Sequence, residues 1–204
     1  KQIAVLASGG GSNFQSIQAH LTSLGVDCPG EIVLVAADRP SAGALERAAG
    51  HGIAAVAMDR EQRTSGMLAL LAHHAIDLVV LAGYLRMVPA EVTRSFRGRI
   101  VNVHPALLPA FGGSGMYGHH VHEAVIAHGA RLSGATVHFV DEVYDRGPII
   151  AQWPVPVFPF DDAVTLAGDF SAYDRVSGLG DVDHDGRADL VATLAGSGRG
   201  VVLP

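Results

Sequence analysis

Five short apolar runs punctuate the first half of the chain: Gln2–Ala7, Glu31–Ala36, Ile53–Ala57, Leu78–Leu81 and Ile100–Val103. Each is rich in Val, Ile, Leu or Ala with little polar alternation, the pattern of a strand covered on both faces. Between them, Ser12–Leu24, Ala42–Gly50, Arg63–Ala75 and, after Pro89, Ala90–Ser95 carry apolar residues at helical spacing. Strand and helix alternate, which predicts an α/β fold with a doubly wound, mostly parallel sheet and right-handed crossovers. Beyond Val103 the pattern predicts a long loop through Gly118, a helix near His119–His128, and two further strands around Ala135–Val140 and Ile149–Val155 that extend the sheet.

The character changes again after Leu166. The stretch 168–204 is rich in Gly and Asp, holds no long helical pattern, and includes Gly196-Ser197-Gly198-Arg199-Gly200 before a last apolar run. The expected division is therefore a main domain over 1–167 and an atypical segment over 168–204.

Composition narrows the function classes. With 49% hydrophobic and 17% charged residues in 204 positions, one domain can bury a sizeable core. A net charge of −6 without a basic stripe disfavours nucleic acid as a partner. No apolar run is long enough for a membrane span, the apolar run after Lys1-Gln2 is too short for a signal peptide, and the single cysteine, Cys28, has no internal partner. A soluble, cytoplasmic protein is expected, and Lys at the first position suggests a processed or trimmed chain.

In an open parallel sheet ligands bind beyond the carboxyl ends of the strands, so the residues that follow each strand are the ones to weigh. After the first comes Ser8-Gly9-Gly10-Gly11-Ser12-Asn13 and then a helix, where bare backbone N–H groups can cradle a phosphate. Phe14 stands where a dinucleotide fingerprint needs its third glycine, and Gly-Lys-Ser/Thr is absent. A Gly-rich turn with Ser12 as helix cap is the plain alternative. After the fourth strand, Ala82-Gly83-Tyr84-Leu85-Arg86-Met87-Val88-Pro89 is either a slot for a flat heterocycle or an ordinary connection with its apolar side chains in the core.

The fifth run leads into Asn102-Val103-His104-Pro105, and alternation puts Asn102 and His104 on one side of the strand. An amide and an imidazole aimed into one crevice can stabilise an oxyanion and move protons near neutral pH. His138, within Thr136-Val137-His138-Phe139-Val140, is a second imidazole on a strand, and Asp145 follows in a turn closed by Gly147-Pro148. Taken by themselves, those two are better explained as a satisfied core histidine and a turn-forming aspartate.

In order and spacing, the Gly-rich loop, the block Asn102-Val103-His104-Pro105-Ala106-Leu107-Leu108-Pro109, and His138-Phe139-Val140 with Asp145-Arg146-Gly147-Pro148 resemble the phosphoribosylglycinamide formyltransferases, over about residues 2–166. The resemblance implies transfer of a formyl group from 10-formyltetrahydrofolate to the amine of glycinamide ribonucleotide in purine biosynthesis, by direct attack and without a metal. It places Asn102, His104 and Asp145 as catalytic residues with His138 in support, the substrate phosphate on Gly11, Ser12 and Asn13, and the pteridine against Leu85, Arg86, Met87 and Val88. A monomer or homodimer is implied. Ser114 stands where such proteins often carry a basic residue, and His119, His120 and His122 cluster without a carboxylate at ligand spacing.

Such relatives continue with a long helix where this chain reads Gly168-Asp169-Phe170, and its loss is expected to cost stability. Asp181, Asp183, Asp185 and Asp189 around Gly186 have the alternate spacing of an oxygen-only calcium loop, resembling one FG-GAP repeat of integrin-like propellers. Ala192 at the twelfth position excludes a complete EF-hand, and an acidic turn without metal is the rival reading. Three other functions compete. A formyltetrahydrofolate hydrolase shares the Asn-His-Asp set, a methionyl-tRNA formyltransferase is disfavoured by the acidic balance, and the tail alone speaks for a calcium-dependent interaction module. Neither Ser8 nor Ser114 lies in Gly-x-Ser-x-Gly, which argues against a serine hydrolase.

Overall fold

The structure is a computed structural model that describes residues 1–166 and the strand residues 175–179, 189–193 and 200–203. Seven strands form the main sheet: β1 (Gln2–Ala7), β2 (Glu31–Ala37), β3 (Ala54–Ala57), β4 (Leu78–Leu81), β5 (Ile100–His104), β6 (Leu132–Phe139) and β7 (Ile149–Pro156). Their spatial order is β3-β2-β1-β4-β5-β6-β7. The first five run parallel, while β6 and β7 join antiparallel.

The helices α1 (Ser12–Ser23), α2 (Gly43–Gly50), α3 (Met67–His73), α4 (Ala90–Ser95) and α5 (His119–Ala127) follow the expected alternation. Period-two alternation within each buried strand sorts its side chains between two cores. Ile3, Val5, Val35 and Val101 pack with Phe14, Ile17 and Leu21 of α1 and with Ala44 and Ala48 of α2. On the opposite face Ala4, Leu6, Leu34 and Ile100 meet Met67 and Leu71 of α3 and Val92 of α4. Burial on both faces explains why β1, β2, β4 and β5 read as apolar runs, whereas β3, at the edge of the sheet, is apolar yet largely exposed, contrary to expectation.

Most boundaries shift by a residue or two and β6 begins three residues early, at Leu132, but the largest difference is in the third helix. The third helix begins at Met67 rather than Arg63, because the preceding residues close turns on themselves: Asp59 Oδ1 accepts from the Gln62 N–H at 2.8 Å, and Gly66 N–H returns to Glu61 O at 2.9 Å.

The order of strands reverses beside β1, with β2 on one flank and β4 on the other, so the loops after β1 and β4 part and leave a crevice at the carboxyl edge. Antiparallel β6 then sets His138 opposite Asn102 and Thr136 opposite His104. Residues 105–118 of the loop after β5 reach across the same edge.

A separate antiparallel sheet of order β10-β9-β8 comprises β8 (Arg175–Leu179), β9 (Asp189–Thr193) and β10 (Gly200–Leu203). The expected calcium positions Asp181, Asp183 and Asp185 lie outside the described residues, and so does the expected boundary between 167 and 168; the backbone of Asp189 opens β9. Among the described residues no helix is long and apolar enough to cross a membrane.

Candidate active site

The crevice is a cavity of about 830 Å³, the size of a small-molecule site. Its walls carry side chains from the loops after β1, β4 and β5, from the start of α5, and from the 140–145 turn. Asn102, His104, His138 and Asp145 all lie on this wall, brought together from three stretches of chain.

Strand pairing explains their convergence. Asn102 and His138 are cross-strand partners, and Asn102 Nδ2 stands 3.0 Å from His138 Nε2. The His138 Nδ1–H donates to the Phe139 carbonyl at 2.9 Å, so in the neutral ring Nε2 accepts from the Asn102 amide. His104 is 2% exposed, and its Nε2–H donates to the Phe111 carbonyl at 2.8 Å. A carbonyl can only accept, so neutral His104 carries its proton on Nε2 and turns a lone pair at Nδ1 toward Asp145.

Asp145 sits between the two rings. Its Oδ2 is 3.6 Å from His104 Nδ1 and its Oδ1 is 3.6 Å from His138 Nε2. At that length neither contact is a hydrogen bond, and the coupling is electrostatic. The Gly113 N–H fixes the carboxylate by donating to Oδ2 at 2.9 Å, and Asp145 itself holds a left-handed backbone with φ 53°. Burial pushes His104 below the ordinary imidazole value of 6.5, and the attraction of Asp145 only partly offsets this. Burial would raise Asp145, but the His138 ring, the Gly113 N–H and the His104 ring together hold it below 3.8.

The Gly-rich loop divides its labour. Gly9, Ser12 and Asn13 line the cavity, whereas Gly11 is buried behind it. Gly11, with φ 80°, caps α1, and Ser12 is the first helical residue rather than the cap. A Cβ on Gly11 would meet Ala44 Cα at 2.6 Å, so glycine lets α1 and α2 approach. Arg47 Nε braces the loop by donating to Gly10 O at 2.8 Å. The first turn of α1 therefore borders the cavity at a fixed place, with Ser12 and Asn13 on the wall.

Leu85, Arg86, Met87 and Val88 line the cavity as well; Leu85 and Met87 stay 39% and 44% exposed, which leaves apolar surface for a ligand, while Val88 is buried. Ser114 lies on the wall with Gly113 and Gly115. The three clustered histidines diverge: His119 and His122 line the cavity, and His120 turns outward to Glu123, Nδ1 to Oε2 3.3 Å. Among the described residues no group of His, Cys, Asp or Glu could hold a metal ion.

Sequence reasoning passed over Tyr144 and Asp38, and counted Tyr84 only within the Ala82–Pro89 slot. Tyr84 and Tyr144 line the cavity, and burial pushes the Tyr84 hydroxyl up to about 12. Asp38, 2% exposed, follows β2 and supports Arg86 from beneath the wall. The rule that led to the ends of β1, β4 and β5 applies equally to the end of β2 and would have found it.

Residues 1–175 match the Formyl transferase family. The chain belongs to that family. A formyl transferase relative from Arabidopsis thaliana, the chloroplastic phosphoribosylglycinamide formyltransferase, is 42% identical over 82% of this chain and 59% of its own length. The phosphoribosylglycinamide formyltransferase of Bacillus subtilis (strain 168) is 36% identical over 81% of this chain and 85% of its own. This formyl transferase chain spans little more than half of the first two curated relatives it matches, 59% and 55%. Among solved structures, glycinamide ribonucleotide transformylase 1 from Geobacillus kaustophilus superposes with a TM-score of 0.76 at 36% identity, over 85% of this chain and 92% of that one. A formyltetrahydrofolate deformylase from Pseudomonas syringae superposes with a TM-score of 0.72 at 25% identity, covering 66% of that chain.

Proposed function

We propose that this chain transfers the formyl group of 10-formyltetrahydrofolate to the amine of glycinamide ribonucleotide. The observation that carries the reading is the convergence of Asn102, His104 and His138 around the Asp145 carboxylate on the wall of one cavity. That cavity has a helix N-terminus suited to a phosphate at one side and the half-exposed apolar Leu85 and Met87 suited to a heterocycle at another.

In the proposed reaction the substrate amine attacks the formyl carbon, and a C–N bond forms as the carbonyl oxygen becomes an oxyanion. The Asn102 amide has two protons, one committed to His138 and the second available to that oxygen. His104, neutral at rest, takes the proton of the attacking amine at Nδ1, and Asp145 stabilises the imidazolium. Collapse breaks the bond between the formyl carbon and the folate nitrogen, which receives the proton back from His104. Every step uses the chain's own residues and no metal.

The test is to incubate the chain with 10-formyltetrahydrofolate, with and without glycinamide ribonucleotide, and follow both folate release and formylated product. Release that requires the amine supports the transferase. Equal release in its absence, with formate as product, would assign the formyl group to water and overturn it.

A further inference from the structure

The wall of the cavity formed by Leu85–Val88 is held from behind by two buried residues at the ends of other strands. Ser8, 4% exposed, follows β1: its backbone N–H donates to Gly83 O at 3.0 Å, and its Oγ accepts from the Leu85 N–H at 3.0 Å. Asp38 follows β2, and its Oδ2 receives Arg86 Nε at 2.8 Å. The Asp38 side chain is 1% exposed, whereas that of Arg86, on the cavity wall, is 55% exposed, so a buried carboxylate grips Nε of a guanidinium that is otherwise half exposed. Arg39 closes on the same carboxylate, Nε to Oδ1 at 3.1 Å and Nη2 to Oδ2 at 3.2 Å, and Arg63 Nη1 donates to the Asp38 carbonyl. The Ser8 hydroxyl also helps to hold the Asp38 carboxylate below its usual value, which couples the two anchors electrostatically.

A long arginine side chain loses rotamer freedom when it is ordered, and a buried charge-assisted hydrogen bond settles that loss before any ligand arrives. Neither Asp38 nor Ser8 is needed to complete the sheet. Both are polar side chains buried beneath the four-residue segment Leu85–Val88, and each ends on a backbone or side-chain atom of that segment.

We infer that Asp38 and Ser8 are positioning residues for the formyl donor: they fix the Leu85 backbone and the Arg86 guanidinium in the shape that receives the folate. The inference rests on reading Leu85–Val88 as the donor pocket. It assigns Asp38 no contact with either substrate and no part in the chemical step.

Steady-state kinetics on the full chain separate these roles, varying the donor at saturating ribonucleotide and the reverse. Asp38→Asn keeps the shape and removes the charge; it should raise KM for 10-formyltetrahydrofolate about tenfold, the loss of one charge-assisted hydrogen bond. KM for the ribonucleotide and kcat should stay within about threefold, whereas a purely structural role would move all three together with the melting temperature. Arg86→Gln should raise donor KM by a similar factor, and the double variant should be no worse than Arg86→Gln alone. If Arg86→Gln raises donor KM and Asp38→Asn does not, or if the two factors multiply, the positioning role is overturned. If Arg86→Gln itself changes nothing, the donor-pocket reading fails and takes the inference with it. Ser8→Ala leaves the Asp38–Arg86 pair in place and should raise donor KM about threefold; it decides the matter should Asp38→Asn not fold, and an unchanged donor KM there would overturn the anchor.

Discussion

Asp145 is equidistant from two imidazoles, 3.6 Å from His104 Nδ1 and 3.6 Å from His138 Nε2. The two rings are not equivalent partners. His138 has both nitrogens engaged, by the Phe139 carbonyl and the Asn102 amide, whereas His104 presents an unprotonated Nδ1. A proton arriving between the rings finds an open seat on His104 Nδ1, where an imidazolium forms beside the Asp145 carboxylate.

His104→Ala removes that seat. It should lower kcat about 10²- to 10⁴-fold, the usual worth of a positioned acid–base group. Binding of glycinamide ribonucleotide, measured by calorimetry, should change little, because the proposed phosphate contacts lie on the loop after β1. Turnover at the parental rate would remove His104 from the chemistry.

Asn102→Ala should cost about 10²- to 10³-fold in kcat, as the loss of one oxyanion donor does. It also deprives His138 Nε2 of its amide partner at 3.0 Å. Single-turnover rates at saturating substrates isolate the chemical step, and a rate within threefold of the parent would place the oxyanion elsewhere.

Stability should fall with acid in two windows. The folded-state value of His104 is lowered, so the unfolded chain binds a proton there that the native chain refuses; the contribution is complete above 6.5 and is lost as pH falls from 6.5 toward the folded value. His122, lowered by burial and by His119 and His104, adds to the same window. Asp145 and Asp38, both held below 3.8, contribute above that value and lose it as pH falls through theirs. Urea midpoints at pH 7.5, 6 and 5 should decline, and less steeply in His104→Gln. Flat midpoints from 7.5 to 5 would contradict the burial of a neutral imidazole.

Much of this arrangement was legible in the chain. Strands covered on both faces declare themselves as apolar runs, so β1 and β4 were bounded as Gln2–Ala7 and Leu78–Leu81, and period-two alternation on β5 put Asn102 and His104 on one side. The rest depends on strand order, which no local pattern carries. That His138 faces Asn102 follows from β6 pairing antiparallel with β5, and that Asp38 grips Arg86 follows from β2 and β4 flanking β1. The bond from His104 Nε2 to Phe111 O, which sets the tautomer, depends on a loop path that Gly and Pro spacing leaves open.

The loop that follows β5 turns on one buried hydroxyl. Thr136, fully buried, donates from Oγ1 to Ala106 O at 2.6 Å and accepts from Leu108 N at 3.0 Å and from Gln152 Nε2 at 3.0 Å. Thr136→Val keeps the shape and leaves the Ala106 carbonyl and the Leu108 N–H without that partner, a cost of about 2–3 kcal/mol. The same loop carries Phe111, whose carbonyl holds His104, and Gly113, whose N–H holds Asp145. A loop freed at Ala106–Leu108 should therefore lower kcat about tenfold as well as the urea midpoint, since small misplacements of catalytic groups cost that order. A variant that loses stability at unchanged kcat would show that Phe111 and Gly113 hold their places without Thr136.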